Sequence, residues 1–213
     1  MDIDNHTPSI THLREFVRAR HGGLKTHVAQ DRMQVSAPRD DRVFAFVYEK
    51  LITAIVKFVR DGCRGSALEK AAEEASDRMK PSYSAAARGL KKLIPSLAPI
   101  GVNRRQRNTL VADNEGVGLV SIRIPLILEM QDGSRIAAMI YFSDKALTEP
   151  ELRILDTAVA LAAREIDSDA TPAILMARAG QIRWVPRDAT KSNRVEFLRQ
   201  ESLAYRVEWA AAA

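Results

Sequence analysis

The chain contains one cysteine, Cys63, among its 213 residues, so no disulfide can form within it. We therefore expect a protein of the reducing cytoplasm. The ten glycines never form GxGxxG or GxxxxGK, which argues against a glycine-rich loop that cradles nucleotide phosphates. No GxSxG elbow is present, and no segment approaches the roughly 18 apolar residues of a membrane span. These absences exclude several common enzyme classes and predict no membrane partner.

Histidines are few and are confined to one end of the chain. The four histidines lie within the first 27 residues, at His6, His12, His21 and His27. Their spacing fits no zinc pattern and no cysteine pair accompanies them, so solvated surface histidines are the simpler interpretation. We accordingly predict no metal and no cofactor. The acidic start, 1–4, lacks the basic and then apolar order of a secretory signal, which agrees with a cytoplasmic location.

The balance of charge is mildly basic, with a net charge of +5 and an isoelectric point of about 9.5. Such a balance permits contact with nucleic acid but does not require it. Hydrophobic residues make up 46% of the chain, as in ordinary globular proteins, so the chain can bury a core. Residues 1–38 are interpreted as a polar N-terminal extension, 39–210 as a single α/β domain, and 211–213 as a disordered tail.

The N-terminal extension contains two predicted elements. Ser9 is suited to cap a helix over Ile10–Arg20, which Gly22 and Gly23 would end. A strand is predicted over His27–Val35.

The segment 40–95 is predicted to be a helical subregion. Its first helix starts at Asp40 or Asp41 and ends at Gly62. Apolar residues recur there every three or four positions, which predicts a buried helix. These residues are Phe44, Val47, Leu51, Ile55, Phe58 and Val59, and the stripe is widened by Phe46, Ile52 and Val56.

Two further helices follow in this subregion. Ser66 and Glu69 form a capping-box pattern that starts a helix over Ala67–Met79. Another helix is predicted over Ser82–Ile94, and Pro95 would stop it. Arg88, Lys91 and Lys92 lie on this last helix. The pair of helices weakly resembles a helix-turn-helix motif, in which these basic side chains would contact phosphates or base edges. The alternative is two core helices with a solvated basic edge.

Strands dominate from residue 98 onward. The first two are predicted over Ala98–Val102 and Thr109–Ala112, and Asn114 to Gly116 then turn the chain. The arginines between these strands are Arg104, Arg105 and Arg107. Three guanidiniums in one loop can bind phosphates in fork geometry. The alternative is a solvated loop that keeps the protein soluble.

The stretch from Val117 to Glu165 is the most regular part of the sequence. β-forming residues run from Leu119 to Leu128, Asp132 and Gly133 form a turn, and Ile136–Phe142 returns as a strand. A helix follows over Thr148–Ile166 and has the capping-box glutamate Glu151. It should bury one apolar face, which comprises Leu152, Leu155, Val159 and Ala162.

The C-terminal part supplies a hairpin and a last helix. The hairpin strands are Pro172–Ala177 and Gln181–Val185, and the helix begins at Ser192 or Asn193. Its inward residues are expected to be Val195, Leu198 and Leu203. The fold class is therefore α/β (α+β): a helical N-terminal half and then a mixed sheet in the order helix, strand, strand, strand, helix, strand, strand.

This order of elements resembles the PD-(D/E)xK nucleases, including their RecB-type branch. Those enzymes bind metal through a carboxylate on the second core strand and a carboxylate-x-lysine on the third. Pro125 and Leu126 occupy the first position here, and Ala138–Phe142 occupies the second. Asp144 and Lys145 are adjacent and follow the strand, so their side chains would point to opposite faces. The resemblance implies a degenerate member that does not cleave.

A second, local resemblance is to the closing strands and last helix of GAF domains. The segments that carry it are Ile124–Leu126, Asp132–Gly133, Ile140–Ser143 and Leu147–Leu155. This resemblance implies a ligand-sensing or dimerisation module.

We therefore predict a non-catalytic protein that binds nucleic acid, DNA in preference to RNA, as an accessory subunit of a larger bacterial assembly. Protein partners or a homodimer are compatible with this role. The predicted contact residues are Arg88, Lys91, Lys92, Arg104, Arg105 and Arg107. A GAF-like sensory or dimerisation module is the alternative, and a remnant metal-dependent nuclease is a third.

Overall fold

The computed structural model describes residues 6–36 and 47–212. The helices of this part are α1 (Ile10–His21), α2 (Val28–Ser36), α3 (Glu49–Arg60), α4 (Ala67–Glu73), α5 (Lys80–Leu97), α6 (Glu149–Ile166) and α7 (Ser192–Ala211). The strands are β1 (Pro99–Arg104), β2 (Thr109–Ala112), β3 (Gly118–Ile122), β4 (Leu126–Met130), β5 (Arg135–Tyr141), β6 (Thr171–Met176) and β7 (Gln181–Trp184). None of these helices is both long enough and apolar enough to cross a bilayer.

Five strands form one mixed sheet in the spatial order β1-β4-β5-β6-β7. β1, β4 and β5 pair antiparallel, β5 and β6 pair parallel across the α6 connection, and β7 closes the sheet as an antiparallel edge. Preceded by α5, this sheet has the order helix, strand, strand, strand, helix, strand, strand, so the predicted fold class is confirmed. β2 and β3 form a separate two-stranded ribbon.

The sheet lies between two helical layers, because alternate side chains of its strands enter two different cores. Ile136, Ala138 and Ile140 of β5 pack with the apolar faces of α3, α4 and α5. Ala137 and Met139 point the other way and pack with α1, α6, α7 and the β2–β3 ribbon. Both faces of the central strand are therefore buried, as the apolar run of β5 requires.

The N-terminal segment is part of this core. Ser9 caps α1 as predicted, with its side chain accepting a hydrogen bond from the His12 amide. Leu13 and Val17 of α1 are fully buried against α6 and α7. Within residues 6–36, α1 therefore contributes directly to the core of the protein.

The strand expected over His27–Val35 is wrong, because this segment forms α2. Its polar residues dock on α7 rather than on a strand edge: Arg32 donates to the carbonyl of Trp209, and Asp31 accepts from the Tyr205 hydroxyl.

The helical subregion has different ends from those predicted. The predicted caps and apolar residues at Asp40, Asp41, Phe44 and Phe46 lie outside the described residues. α4 ends at Glu73 instead of Met79, and Ser66 makes no side-chain capping bond, so the predicted capping box is wrong.

α5 is longer than expected at both ends. It includes Pro81 in its first turn, where an amide hydrogen would have no helical partner anyway. Pro95 lies inside the helix, in its last turns, rather than stopping it.

Three corrections and one confirmation concern the second half. The stretch from Leu119 to Leu128 is divided into β3 and β4, because Pro125 cannot donate a ladder hydrogen bond and the strands join different sheets. The α6 capping box of Thr148 and Glu151 is confirmed. Leu203 of α7 is 60% exposed, so the prediction that it faces inward is wrong. α7 continues to Ala211, where a disordered tail was expected.

Candidate functional site

The carboxyl ends of the parallel strands β5 and β6 open into a crevice of about 670 Å³. Ligands of open α/β sheets characteristically bind outside such strand ends. The crevice forms because the chain leaves β5 through Tyr141–Ser143 and leaves β6 at Arg178, on its way to α6 and β7 respectively. Its volume is within the range of pockets that take small organic molecules.

The two helical layers supply the walls of this crevice. α1 contributes Ile10, Thr11 and Arg14 on one side, and Tyr48 and Met79 stand on the other. Arg78 and Arg178 also line the crevice, and none of the described lining residues is acidic. The site is therefore cationic on a largely apolar base.

Three aromatic rings form a short column beside this crevice. Tyr48 stacks on Phe142 with ring centroids 3.9 Å apart and planes 5° from parallel, and it also stacks on Tyr83 at 5.4 Å. Tyr83 is buried and its hydroxyl donates to the carbonyl of Val47. The Phe142 end of the column lines the crevice together with Tyr48. Stacking fixes the orientation of both lining rings.

Arg14 is already engaged by protein groups. Its Nη1 lies 3.1 Å from Oε1 of Glu151 and 3.3 Å from the Tyr141 hydroxyl, and Arg18 binds the same carboxylate. Burial alone would raise the pKa of Glu151, but the hydrogen bonds from Arg18 and Thr148 outweigh it and hold this pKa below its ordinary value. Glu151 therefore stays ionised and holds α1 against the start of α6. Arg14 therefore lines the crevice, but its charge is compensated by Glu151 and it is not a free cation.

Arg178 and Arg78 are more available. Arg178 Nη1 lies 2.9 Å from Oδ2 of Asp144, and its Nη2 donates to the Ser82 hydroxyl at 2.8 Å. Its Nε is buried and has no hydrogen-bond partner among the described residues. Arg78 is exposed and makes no ion pair with any described residue. Guanidiniums of this kind can donate charge-assisted hydrogen bonds to an anion in the crevice.

The six residues expected to contact nucleic acid are divided between two parts of the molecule. Arg88, Lys91 and Lys92 are exposed on α5, which packs through Gly89 against the β6–β7 turn. Lys91 forms an ion pair with Glu69, whereas Arg88 and Lys92 have no partner among the described residues.

The arginine loop follows β1, the edge strand at the other side of the sheet. Arg104 binds Oε2 of Glu49 at 2.6 Å, and Arg107 is exposed. Arg105 is half-buried, and its amide donates to the carbonyl of Pro125.

A cluster that joins the arginine loop to the crevice is centred on Glu49. Both Arg104 and Arg123 bind this single carboxylate, which leaves the group with an excess of positive charge. Burial raises the pKa of Glu49, but the hydrogen bonds from Arg123 and Arg104 lower it further than burial raises it. The neighbouring residue, Tyr48, lines the crevice. The arginine loop and the crevice thus lie at the same end of the sheet.

The positions that carry metal in PD-(D/E)xK nucleases have other roles here. Pro125 precedes β4 and accepts a backbone hydrogen bond, and β5 is apolar where the carboxylate-x-lysine would stand. Asp144 is 72% exposed and paired with Arg178. Among residues 6–36 and 47–212, no three histidine, cysteine, aspartate or glutamate side chains come together in a metal-binding group.

Sequence reasoning missed the crevice residues Tyr48, Arg78, Phe142 and Arg178. They lie on four separate segments, so no spacing rule connects them. The one available signal was position, because Phe142 and Arg178 follow strands that a crossover helix makes parallel. No protein-family model matches this chain, and no curated protein is significantly similar to it.

Proposed function

We propose that this protein is a non-catalytic binding module whose crevice takes a small anionic ligand. The observation that carries the proposal is Arg178, which lines the crevice and has a buried Nε donor with no partner among the described residues. A buried donor without a partner costs free energy, and an anionic oxygen would recover it. Such a role agrees with the ligand-sensing function that the resemblance to GAF domains implies.

Two further observations support the proposal. The ion pair of Arg178 with Asp144 should compete only weakly with an incoming anion. Asp144 is 72% exposed, and exposed ion pairs contribute little free energy. Arg78 adds a second cation on the rim of the crevice, and none of the lining residues that the structure describes is acidic. An incoming anion therefore meets net positive charge and gains charge-assisted hydrogen bonds.

Calorimetric titration of small anions tests the proposal. Pyrophosphate and citrate should bind at low salt, and Arg178→Gln should weaken binding roughly tenfold or more, the usual loss for a hydrogen bond to a charged group. Arg187→Gln is the matched control, because Arg187 is an exposed arginine that follows β7 at the opposite end of the sheet. Equal affinities for the parent and Arg178→Gln would contradict the proposal.

A second candidate function is the binding of nucleic acid, DNA in preference to RNA, as an accessory subunit. The observation that favours it is the excess charge of the arginine loop, where Arg104 and Arg123 share one carboxylate and Arg107 is free of described partners. Arg105 and Arg107 lie at the same end of the sheet as the crevice. A nucleic-acid backbone could therefore pass across both the arginine loop and the crevice.

The salt dependence of DNA binding tests this second candidate. The double variant Arg105→Gln/Arg107→Gln should flatten the log–log slope by about two contacts, at roughly 0.9 per contact for duplex DNA. The pair Arg88→Gln/Lys92→Gln on α5 shows whether the other predicted residues contribute. No binding at low salt, or an unchanged slope in both double variants, would remove this candidate.

A further inference from the structure

We infer that the ligand of the crevice is a planar aromatic anion, in which a flat ring carries a carboxylate or a phosphate. This inference rests on the proposed function and adds the chemical class of the ligand. It concerns a ring site and an anion site that lie side by side.

The ring site is the Phe142 end of the aromatic column, which lines the crevice. Tyr83, Tyr48 and Phe142 stack in nearly parallel planes, with interplanar angles of 21° and 5°. Tyr83 is buried, whereas Phe142 and Tyr48 are half-buried and line the crevice. A further flat ring can continue this stack with little loss of conformational entropy, because the protein rings are already held in place.

The anion site lies next to the ring site by direct connection of the chain. Phe142 is followed by Ser143 and Asp144, and the Asp144 carboxylate lies 2.9 Å from Arg178. This contact shows that the guanidinium lies near the segment that carries the terminal ring. Ser82 fixes the other terminal nitrogen, which orients the guanidinium plane. A ligand that stacks on Phe142 thus presents its charged substituent to Arg178.

The remaining lining agrees with a ligand of this class. Met79 and Met139 present polarisable side chains, which make favourable contacts with aromatic rings. Thr11, Ser76 and Ser143 place hydroxyls around the rim, where they can bind ring substituents. A volume of about 670 Å³ exceeds that needed for one ring, so the ligand has room for a sugar or a second ring.

Matched ligand pairs test the inference on the parent protein. Benzoate and 1-naphthoate should bind more tightly than cyclohexanecarboxylate, which has the same charge and no flat ring. In the phosphate arm, adenosine 5′-monophosphate should bind more tightly than ribose 5-phosphate and than adenosine. Preference within the carboxylate arm or within the phosphate arm supports the inference and identifies the source of the charge.

Protein variants provide the second measurement. Phe142→Leu keeps an apolar side chain but removes the stacking face. It should weaken the binding of the aromatic anions by roughly 2- to 12-fold. Pyrophosphate carries no ring, so its binding should be weakened less than that of the aromatic anions. Phe197→Leu on α7 is the control, because Phe197 is a half-buried ring that does not line the crevice.

The outcomes separate the two proposals. If cyclohexanecarboxylate binds as tightly as benzoate, and ribose 5-phosphate as tightly as the nucleotide, the inference falls and the anion-binding function stands. If none of these anions, nor pyrophosphate or citrate, binds at low salt, both fall. Should Phe142→Leu fail to fold, the ligand pairs on the parent protein still decide.

Discussion

The imidazole of His6 stacks on the indole of Trp209, with ring centroids 3.9 Å apart. Burial, together with the nearby His12, lowers the pKa of His6 from 6.5 to about 4. The unfolded chain therefore binds a proton below about pH 6.5 that the folded chain accepts only near pH 4. The free energy of unfolding should fall as the pH decreases through this window.

Replacing His6 by phenylalanine tests this residue-scale account. The variant keeps a ring against Trp209 but cannot take up the proton, so its stability should fall less than that of the parent between pH 6.5 and pH 4. Urea denaturation at a series of pH values measures the difference. His27→Phe is the control. An unchanged pH dependence in His6→Phe would show that another group titrates.

Single residues also mark the limit of local reasoning. The capping box of Thr148 and Glu151 was predictable because its partners are three residues apart. The ion pairs of Glu151 with Arg14 and Arg18 were not, because they join positions 137 and 133 residues apart. The same carboxylate therefore has a local role that the sequence shows and a tertiary role that it conceals.

At the scale of elements, α5 approaches the β6–β7 turn closely at one point. A Cβ atom on Gly89 would lie 2.0 Å from the carbonyl oxygen of Ala177, which is backbone and cannot rotate away. In an exposed helix interior, glycine to alanine normally stabilises by about 0.5–1 kcal/mol.

Gly89→Ala should instead destabilise the protein, by about 1–3 kcal/mol or more, because the helix must move from the turn. Thermal or urea denaturation measures the change. Ser84→Ala on the same helix, at a half-buried position, should shift stability by far less. Stabilisation by Gly89→Ala would mean that the contact between α5 and the turn is looser than described.

Arg178 lies in this turn, so the displacement expected in Gly89→Ala should also decrease the affinity of the crevice for its ligand.

Two leucines of α6 show which face of this helix is buried. Leu155 is fully buried in the core that α6 shares with α1 and one face of the sheet, whereas Leu152 is only half-buried, although both were expected on the inward face. Leu155→Ala should cost roughly 2–5 kcal/mol of the free energy of unfolding, the range for a fully buried leucine. Leu152→Ala, measured in the same way, should cost clearly less. Equal losses would place the two side chains in equivalent environments.

At the scale of the whole molecule, the sheet offers no described metal-binding group at its carboxyl end. We predict that the protein leaves single- and double-stranded DNA and RNA intact in the presence of Mg²⁺ or Mn²⁺. The physical reason is the apolar character of β5 and of the Pro125 position, where a nuclease requires carboxylates. Metal-dependent cutting that disappears in Asp144→Ala would restore the remnant nuclease as the preferred function.

The sequence by itself determined the elements whose signals are local. The turn at Asp132 and Gly133, strand β2, the capped helix α6 and the hairpin of β6 and β7 appear where they were predicted, within a residue or so at their ends. Each depends on turn chemistry, capping or strand periodicity within a few neighbouring residues. The order of these elements also sufficed for the fold class, because short connections leave few topologies open.

The tertiary structure decided what depends on distant partners. α2 docks on α7 through the hydrogen bond from Arg32 to the Trp209 carbonyl, and Pro125 divides one apolar stretch between two sheets. The crevice assembles side chains from α1, the segments just before α3 and α5, and the ends of two strands. The hydrogen bond from Arg178 to Ser82 alone spans 96 residues. Contacts of such separation follow from how whole elements pack. No local pattern of residue types encodes these contacts. For this reason the six predicted basic residues lie in two separate parts of the molecule, whereas the residues of the crevice, which the sequence did not predict as a site, lie together.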